Sequence, residues 1–399
     1  MSEVNRNYLL SDGDAEFKAE LEQALSDACT ILKNHLHKYA SGDVYQARYK
    51  DGQYTPTPNA QPNYWTESFY PGQLWLAYEV THDEAYRDIA EKNVLDFHRR
   101  VVLNDEIDWH HDIGFLYTLS SVAPYKLTGN ELARESALMA AYSLSRRFRF
   151  KGGFIQSMGD DGNYCPQNYR FIVDTMMNLP LLFWAAEETG NMTYKDKAMR
   201  HLRTCMKYSI REDGSSYHHF LMDHETGGPI KGLTLQGAHD ESFWSRGHSW
   251  IIYGLAVAYD YTHDESLLDD FVKVTDAFVR NLPESDSIPY WDFIYNDGSG
   301  EERDTSAAAI ACCGIMEMAR LIPHDICNME KYIASAKKMM KSLLTKRYRI
   351  TPDTGEEGFI RETMGSKPHG SKPSCATYAD YFFLEGLIRA TRNWENRYW

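Results

Sequence analysis

Strongly apolar helix-length segments alternate with amphipathic ones along most of the chain. The apolar kind includes LLFWAA at 181–186, IIYGLAVAY at 251–259, AAAIACCGIMEMA at 307–319 and YFFLEGLI at 381–388. The amphipathic kind includes YKDKAMRHLRTCM at 194–206 and IASAKKMMKSLL at 333–344. A helix that is apolar all round belongs in an interior, and one with a polar face belongs outside it. The alternation therefore predicts helical hairpins, each with an inner and an outer member. Their starts fall at Gly72, Asp112, Asp174, Arg246, Asp304 and Asp380, with turns at THDE, LTGNE, ETGNM, YTHDES and near LIPHD, and the last runs almost to the C-terminus. The starts are spaced by 40, 62, 72, 58 and 76 residues. Common helical solenoids repeat at roughly 34 to 47 residues. The excess lies in Gly-, Pro- and aromatic-rich connections, the sort of loop that carries function on a rigid scaffold.

Six such hairpins closing in a ring give an all-α (α/α)6 barrel, a six-hairpin toroid, rather than an open superhelix. A single domain spanning 1–399 is expected, with 1–16 as a flexible N-terminal extension. Residues 17–39 read as a further helix, and 40–66, rich in Tyr, Pro, Gly, Asn and Gln, as a long surface or cleft-lining loop. No strand–helix alternation is sustained and no phosphate-binding glycine motif occurs.

Composition narrows the function. Of 399 residues, 42 are basic and 57 acidic, a formal charge of -15, which makes a poor nonspecific binder of nucleic acid. The 27 Tyr, 17 Phe and 9 Trp can fill a core or line a cleft for a ring-shaped ligand. The N-terminal text has no signal-peptide pattern and no apolar run is long enough for a membrane span. Seven cysteines without C-x-x-C argue against a disulfide framework or a cysteine-based zinc site. A cytoplasmic protein without metal or other cofactor is expected.

The candidate chemistry sits at the helix starts. Asp112, in Trp109-His-His-Asp, and Asp174, in Phe171-Ile-Val-Asp-Thr-Met-Met-Asn-Leu, each precede an apolar helix, as does Asp304. Aspartate is a favoured N-cap. In a ring of helices, however, the inner N-termini share one mouth, where the carboxylates would converge. Two convergent carboxylates are the usual apparatus of glycoside chemistry. Arg246, between Trp244 and Trp250, suits a carboxylate on a stacked ring, or else a structural salt bridge.

Taken together and in order, Asp112-Ile-Gly-Phe, Phe171-Ile-Val-Asp-Thr-Met-Met-Asn-Leu, Ser245-Arg-Gly-His-Ser-Trp and Tyr378-Ala-Asp-Tyr-Phe-Phe-Leu-Glu resemble the unsaturated glucuronyl hydrolases of glycoside hydrolase family 88. The resemblance runs from about Trp65 to Arg389. It implies an (α/α)6 barrel and removal of the 4,5-unsaturated uronate that polysaccharide lyases leave on glycosaminoglycan disaccharides, by hydration of the C4–C5 double bond. It implies catalysis by Asp174 and Asp112, and substrate contacts from Trp65, His111, His218, Gln236, Arg246 and Trp250. Unsaturated rhamnogalacturonyl hydrolases share much of the pattern, and a noncatalytic carbohydrate-binding scaffold is the reading of another class. Met158 stands where the family often has a tryptophan. Streptococcal-type members that accept sulfated substrates resemble a Ser-x-x-Ser-x-Lys pattern. Here Ser366, Lys367, Ser371 and Lys372 offer that chemistry at a different spacing, which implies a 6-sulfated or unsulfated chondroitin- or hyaluronan-type disaccharide. The family implies a monomer or a homodimer.

Overall fold

Four of the hairpins turn by one local device. Thr81-His82-Asp83, Thr128-Gly129-Asn130, Thr189-Gly190-Asn191 and Thr262-His263-Asp264 each place His or Gly in the left-handed conformation. The amide of that residue closes the preceding helix, as in His82 N–H to Tyr78 O at 2.7 Å and Gly190 N–H to Ala186 O at 2.9 Å. The threonine hydroxyl donates back to the carbonyl four residues earlier in all four turns. The Asp or Asn side chain accepts the first free amide of the next helix, as Asp83 does from Ala85 at 3.0 Å and Asn130 from Ala133 at 3.1 Å. A left-handed C′ residue followed by an N-capping side chain ends one helix and starts its antiparallel partner within three residues.

The structure, a computed structural model, describes residues 9–11, 13–58, 65–103, 110–159, 165–323, 325–394 and 396–399. In chain order its helices are α1 (Ala15–His35), α2 (Phe69–Thr81), α3 (Glu84–Leu103), α4 (Ile113–Tyr117), α5 (Ala123–Thr128), α6 (Glu131–Arg146), α7 (Pro180–Thr189), α8 (Thr193–Ser209), α9 (Ser245–Thr262), α10 (Ser266–Arg280), α11 (Thr305–Leu321), α12 (Met329–Leu343) and α13 (Thr377–Thr391). A π-type stretch, Thr118–Val122, joins α4 to α5 as one inner element. The inner ring runs α2, α4–α5, α7, α9, α11, α13 and back to α2, each packed on the next. From Ser245 to Ala258 in α9, and from Thr305 to Ala319 in α11, every residue is buried. The outer helices α3, α6, α8, α10 and α12 bury one face each. The architecture is the expected α/α toroid.

The sixth hairpin differs from its sequence reading. The chain supplies only the inner helix α13 at that position, and the outer partner packed on it is α1, from the opposite end of the sequence. The ring thus closes by joining the two ends of the chain. The helix read at 17–39 is α1 followed by a 3-10 turn, Leu36–Tyr39. Of the stretch 1–16, residues 1–8 and 12 lie outside the described residues. Leu9 is buried, Asp14 pairs with Lys337, and α1 already begins at Ala15. Within 40–66, read as a loop, β1 (Val44–Lys50) pairs antiparallel with β2 (Gln53–Pro58) across a turn in which Asp51 and Gly52 both have positive φ, and 59–64 lie outside the described residues. Pro56 and Pro58 are tolerated because this two-stranded sheet has only edges.

Three further pairings decorate the mouth of the ring. β3 (Phe148–Arg149) pairs with β4 (Phe154–Ile155). β5 (Arg170–Ile172), β6 (His219–Met222) and β7 (Pro229–Leu233) form an antiparallel sheet in that order. Inside the ring the Trp399 ring stacks on Phe382 at 5.8 Å and donates from Nε1 to Glu385 at 3.0 Å. Among the described residues no helix is long and apolar enough to cross a membrane.

Asp380 fastens the β1–β2 hairpin to α13. Its carboxyl accepts the Tyr54 hydroxyl at 2.7 Å and the backbone amides of Phe359 and Ile360 at 2.8 and 3.1 Å. Burial pushes this carboxyl up to about 7 against the opposing pull of those donors. The folded state therefore keeps a proton that the unfolded state releases near the ordinary aspartate pKa of about 3.9. The contribution is complete below that value, is lost at up to about 1.4 kcal/mol per pH unit as pH rises to about 7, and is flat above it. Asp380→Asn mimics the protonated form, so its melting temperature should gain on the wild type between pH ~4 and ~7. A difference that does not change with pH in thermal scans would contradict this.

Candidate active site

Neither mouth aspartate is spent as a helix cap. Asp112 precedes α4 and Asp174 lies in the 3-10 turn Val173–Met177, and neither side chain accepts a capping amide. Asp304 does cap: it accepts Ser306 N–H at 3.1 Å. The Asp112 and Asp174 side chains keep 18% and 13% of their exposure, enough to be reached from the mouth.

One side chain ties the two elements together. The Asn178 carbonyl accepts Phe115 N–H at 2.8 Å, fixing the start of α4. Its amide nitrogen donates to Asp112 Oδ1 at 3.3 Å and to the Asp174 carbonyl at 3.2 Å. The approach is so close that a Cβ on Gly114 would stand 2.3 Å from Asn178 Cα, so only glycine fits there. Asn178 was given no role on sequence grounds. Its position four residues after Asp174 puts both on one face of a helical turn, which was the signal available.

Histidines complete each half. His111 lies between the Thr175 hydroxyl, at 2.8 Å from Nδ1, and Asp112 Oδ1, at 3.6 Å from Nε2. Burial pushes its imidazole below the usual histidine range. Burial alone would raise the Asp112 carboxyl, but His111, His110 and Asn178 outweigh it and hold Asp112 at about 2. Asp112 is therefore a carboxylate at any working pH. On the other side, His218 Nδ1 receives the backbone amides of Leu235 and Gln236, both at 3.3 Å. An acceptor Nδ1 leaves the ring proton on Nε2, which stands 3.6 Å from Asp174 Oδ2. Burial depresses His218 too, so it faces Asp174 as a neutral N–H. Asp174 Oδ2 is buried and has no hydrogen-bond partner among the described residues.

Trp65 lies over the mouth, 5.0 Å from the Tyr378 ring and 5.3 Å from Phe115. Three of the expected residues have partners within the protein. Trp250 has 0% exposure, enclosed by Phe115, Phe382 and Trp65, so it underlies the aromatic floor and presents no face for stacking. Arg246 spends its terminal N–H groups on the protein. Nη1 reaches Asp304 at 2.9 Å and the Met364 carbonyl, and Nη2 reaches Gln236 Oε1 at 2.8 Å and the Gly365 carbonyl at 3.0 Å. Arg246 is thus a structural ion pair that also orients Gln236, leaving the half-buried Gln236 amide nitrogen as the donor toward a ligand. Lys367 is neutralised by Glu301 and Glu302.

In the same loop, the Ser366 hydroxyl is engaged with His369 at 2.6 Å, and the Ser371 oxygen accepts Ser366 N–H at 3.0 Å. Lys372 is exposed and lines a cleft of about 1030 Å³ that also touches Arg48, Thr66, Ser371 and Tyr378. That cleft therefore begins beside the aromatic mouth. Of the expected site residues, the mouth brings together Asp112, Asp174, His111, His218, Gln236 and Trp65.

Known proteins match this arrangement over nearly the whole chain. The unsaturated chondroitin disaccharide hydrolase of Streptococcus pneumoniae is 40% identical over 382 residues, covering 96% of this chain and 94% of its own. The crystal structure of unsaturated glucuronyl hydrolase from Streptococcus agalactiae superposes with a TM-score of 0.90 at 37% identity, covering 100% of this chain and 97% of that one. A mutant of that enzyme, solved in complex with dGlcA-GalNAc6S, superposes with a TM-score of 0.83 at 34% identity, with the same coverage. The profile of Glycosyl Hydrolase Family 88 matches residues 39–386, and with the fold and the paired mouth carboxylates already in place, the chain belongs to that family.

Proposed function

We propose that this chain is an unsaturated glucuronyl hydrolase acting on lyase-generated glycosaminoglycan disaccharides, with Asp174 as the residue that gives and then regains a proton. The observation that carries this reading is a pair of carboxyl groups at one mouth, neither spent on a helix cap, each with a histidine beside it, and held together by Asn178, whose amide donates to the Asp112 carboxylate and to the Asp174 backbone carbonyl. The names of the relatives support the substrate class.

The chemistry follows from these environments. Asp174, carrying a proton, delivers it to C4 of the unsaturated uronate. The π electrons of the C4–C5 bond form the new C4–H bond, and positive charge develops at C5 and the ring oxygen. Asp112, held ionised, stabilises that charge. A water molecule attacks C5, and its proton passes to the Asp174 carboxylate, which restores the acid. The product at C5 is a hemiketal. Its opening leaves a hemiacetal at C1, which expels the second sugar as an alcohol. His218 Nε2 stands beside Asp174 at 3.6 Å, and Gln236 and Trp65 hold the sugar ring.

Asp174→Asn should fold normally and lose turnover by about 10²–10⁴-fold, the usual contribution of general acid–base catalysis. The check is loss of the ultraviolet absorbance of the C4–C5 double bond on mixing with unsaturated chondroitin, hyaluronan, heparin and rhamnogalacturonan disaccharides. Retention of a third of wild-type kcat would remove Asp174 from this role.

For a sulfate on the second sugar, Lys372 is the cation we assign. It lines the cleft, whereas Lys367 is already neutralised, and Ser371 keeps its hydroxyl proton for donation. The complex of the agalactiae relative with dGlcA-GalNAc6S supports a sulfate as the occupant. Lys372→Ala should lower kcat/KM for a sulfated disaccharide about tenfold more than for its unsulfated counterpart, whereas a solvent-screened contact of about 0.2–1 kcal/mol would change the ratio less than about fivefold. Lys367→Ala should affect both substrates alike. Equal losses in the Lys372 variant would leave the loop without a part in sulfate selection.

A further inference from the structure

A fully buried aspartate from another hairpin grips the loop that faces Asp174. Asp292 lies in the connection between α10 and α11 and has 0% exposure. Its Oδ2 accepts Ala238 N–H at 3.0 Å and the Ser242 hydroxyl at 2.6 Å. Its Oδ1 accepts Phe243 N–H at 3.0 Å and Ile294 N–H at 3.2 Å. None of these donors is a cation. Burying a carboxyl is unfavourable unless its oxygens are hydrogen-bonded. Three of these bonds go to one segment, 238–243, of the loop between β7 and α9, so that segment is shaped around the carboxyl.

The segment reaches the site by two routes. The first is the turn at Gly237, whose amide donates to Thr234 Oγ1 at 2.8 Å. A Cβ on Gly237 would stand 2.7 Å from Ser242 Oγ, 2.8 Å from Thr234 Oγ1 and 3.1 Å from Asp292 Oδ2, so the turn closes directly on the carboxyl. This turn aims the Leu235 and Gln236 amides at His218 Nδ1, both at 3.3 Å, with Thr234 Oγ1 at the same distance. The second route is Trp244, which pairs with Asp292 in an antiparallel bridge. Phe293 N–H donates to Phe243 O at 2.8 Å and Ser245 N–H to Trp291 O at 3.2 Å. The Trp244 ring then lies 4.3 Å from the His218 ring.

An imidazole has two neutral tautomers, and the hydrogen bonds of one nitrogen choose what the other presents. Backbone amides can only donate, so the turn at 234–237 makes Nδ1 an acceptor and leaves the proton on Nε2, 3.6 Å from Asp174 Oδ2. The same turn sets the backbone of Gln236, whose Oε1 is held by Arg246. We propose that Asp292 is a positioning residue for the reaction: it holds the 234–243 loop in the one shape that fixes the His218 tautomer and presents the Gln236 amide. The assignment rests on the function proposed above, and Asp292 acts only through the loop.

Asp292→Asn tests it. Asparagine keeps one acceptor oxygen and puts two N–H donors where the other stood, so one pair of loop or strand donors loses its acceptor. The first readout needs no substrate: the ring nitrogens of His218 in the free protein, followed by ¹⁵N NMR and assigned by their loss in His218→Gln. The wild type should show the Nε2–H tautomer alone, and the variant a mixture with Nδ1–H. The second readout is kinetic. Asp292→Asn should lower kcat/KM about tenfold to a hundredfold, the range expected when a catalytic constellation is displaced from a distance. In a His218→Ala, Gln236→Ala background the same change should cost less than about threefold, because the groups it positions are gone. An Asp292→Asn protein that keeps the wild-type tautomer would overturn the assignment whatever its activity. So would a loss in kcat/KM that is undiminished in the double-variant background, or a lowered Tm with unchanged kinetics. Should Asp292→Asn not fold, Ser242→Ala removes one donor and leaves the carboxyl in place. It should move both readouts the same way by a fewfold smaller amount, and wild-type values in both would overturn the assignment. Wild-type protein inert on every unsaturated uronyl disaccharide would overturn the proposed function, and with it the catalytic part of this assignment, while the tautomer measurement still judges the grip of Asp292 on His218.

Discussion

The contact between Asn178 and the start of α4 is what the rest of the site depends on. α4 and the Asp174 turn belong to different hairpins, and nothing in their own geometry brings Asp112 to Asp174. A glycine at 114 lets the two backbones approach, and the Asn178 amide then bonds to Phe115, Asp112 and the Asp174 carbonyl at once. The ring supplies the coarse convergence, because its inner helices all begin at one end. The amide supplies the fine placement. A site held this way can be stiff although it lies at a mouth, because each donor and acceptor of the bridge is fixed by backbone on both sides.

Charge is managed by the same economy of partners. Burial pushes the imidazoles of His111 and His218 below the usual histidine range, against the opposing pull of the carboxylate beside each. Asp112 stays ionised because those same rings and the Asn178 amide outweigh its burial. Arg246, which looks like a ligand clamp in sequence, is absorbed by Asp304, Gln236 and two carbonyls, and Lys367 by two glutamates. Among the described residues, the two carboxyl groups, the Gln236 amide and the Trp65 ring are left at the mouth.

Much of the fold was legible because periodicity reports burial. The all-round apolar α9, α11 and α13 could only be interior, and the mouth aspartates stood out against them. The sixth hairpin was misread because pairing of α1 with α13 is non-local: no pattern within either segment announces a partner more than 300 residues away. The β1–β2 hairpin did carry a signal, Asp51-Gly52 between Tyr-bearing runs, but its prolines and glycines weighed toward a loop. Among site residues, motif order points to Asp112, Asp174 and His218, which the fold brings to one mouth. Trp250 and Arg246 are of types that suit both a ligand and a core, and the sequence carries no sign of their burial or of the hydrogen bonds Arg246 makes within the protein. Asn178 lies inside a quoted motif, yet it gains meaning only from what it touches in three dimensions.

The central claim is that the proton and the water are added across C4–C5, and that the glycosidic bond breaks only as a consequence. Turnover in D₂O followed by NMR of the released uronate-derived product tests it most directly. The account predicts one deuterium at C4, delivered to a single face because Asp174 approaches from one side only. Direct cleavage at C1 would release a sugar that ring-opens to a C5 enol and ketonises in solution, taking up deuterium on both faces of C4, and that result would contradict the account.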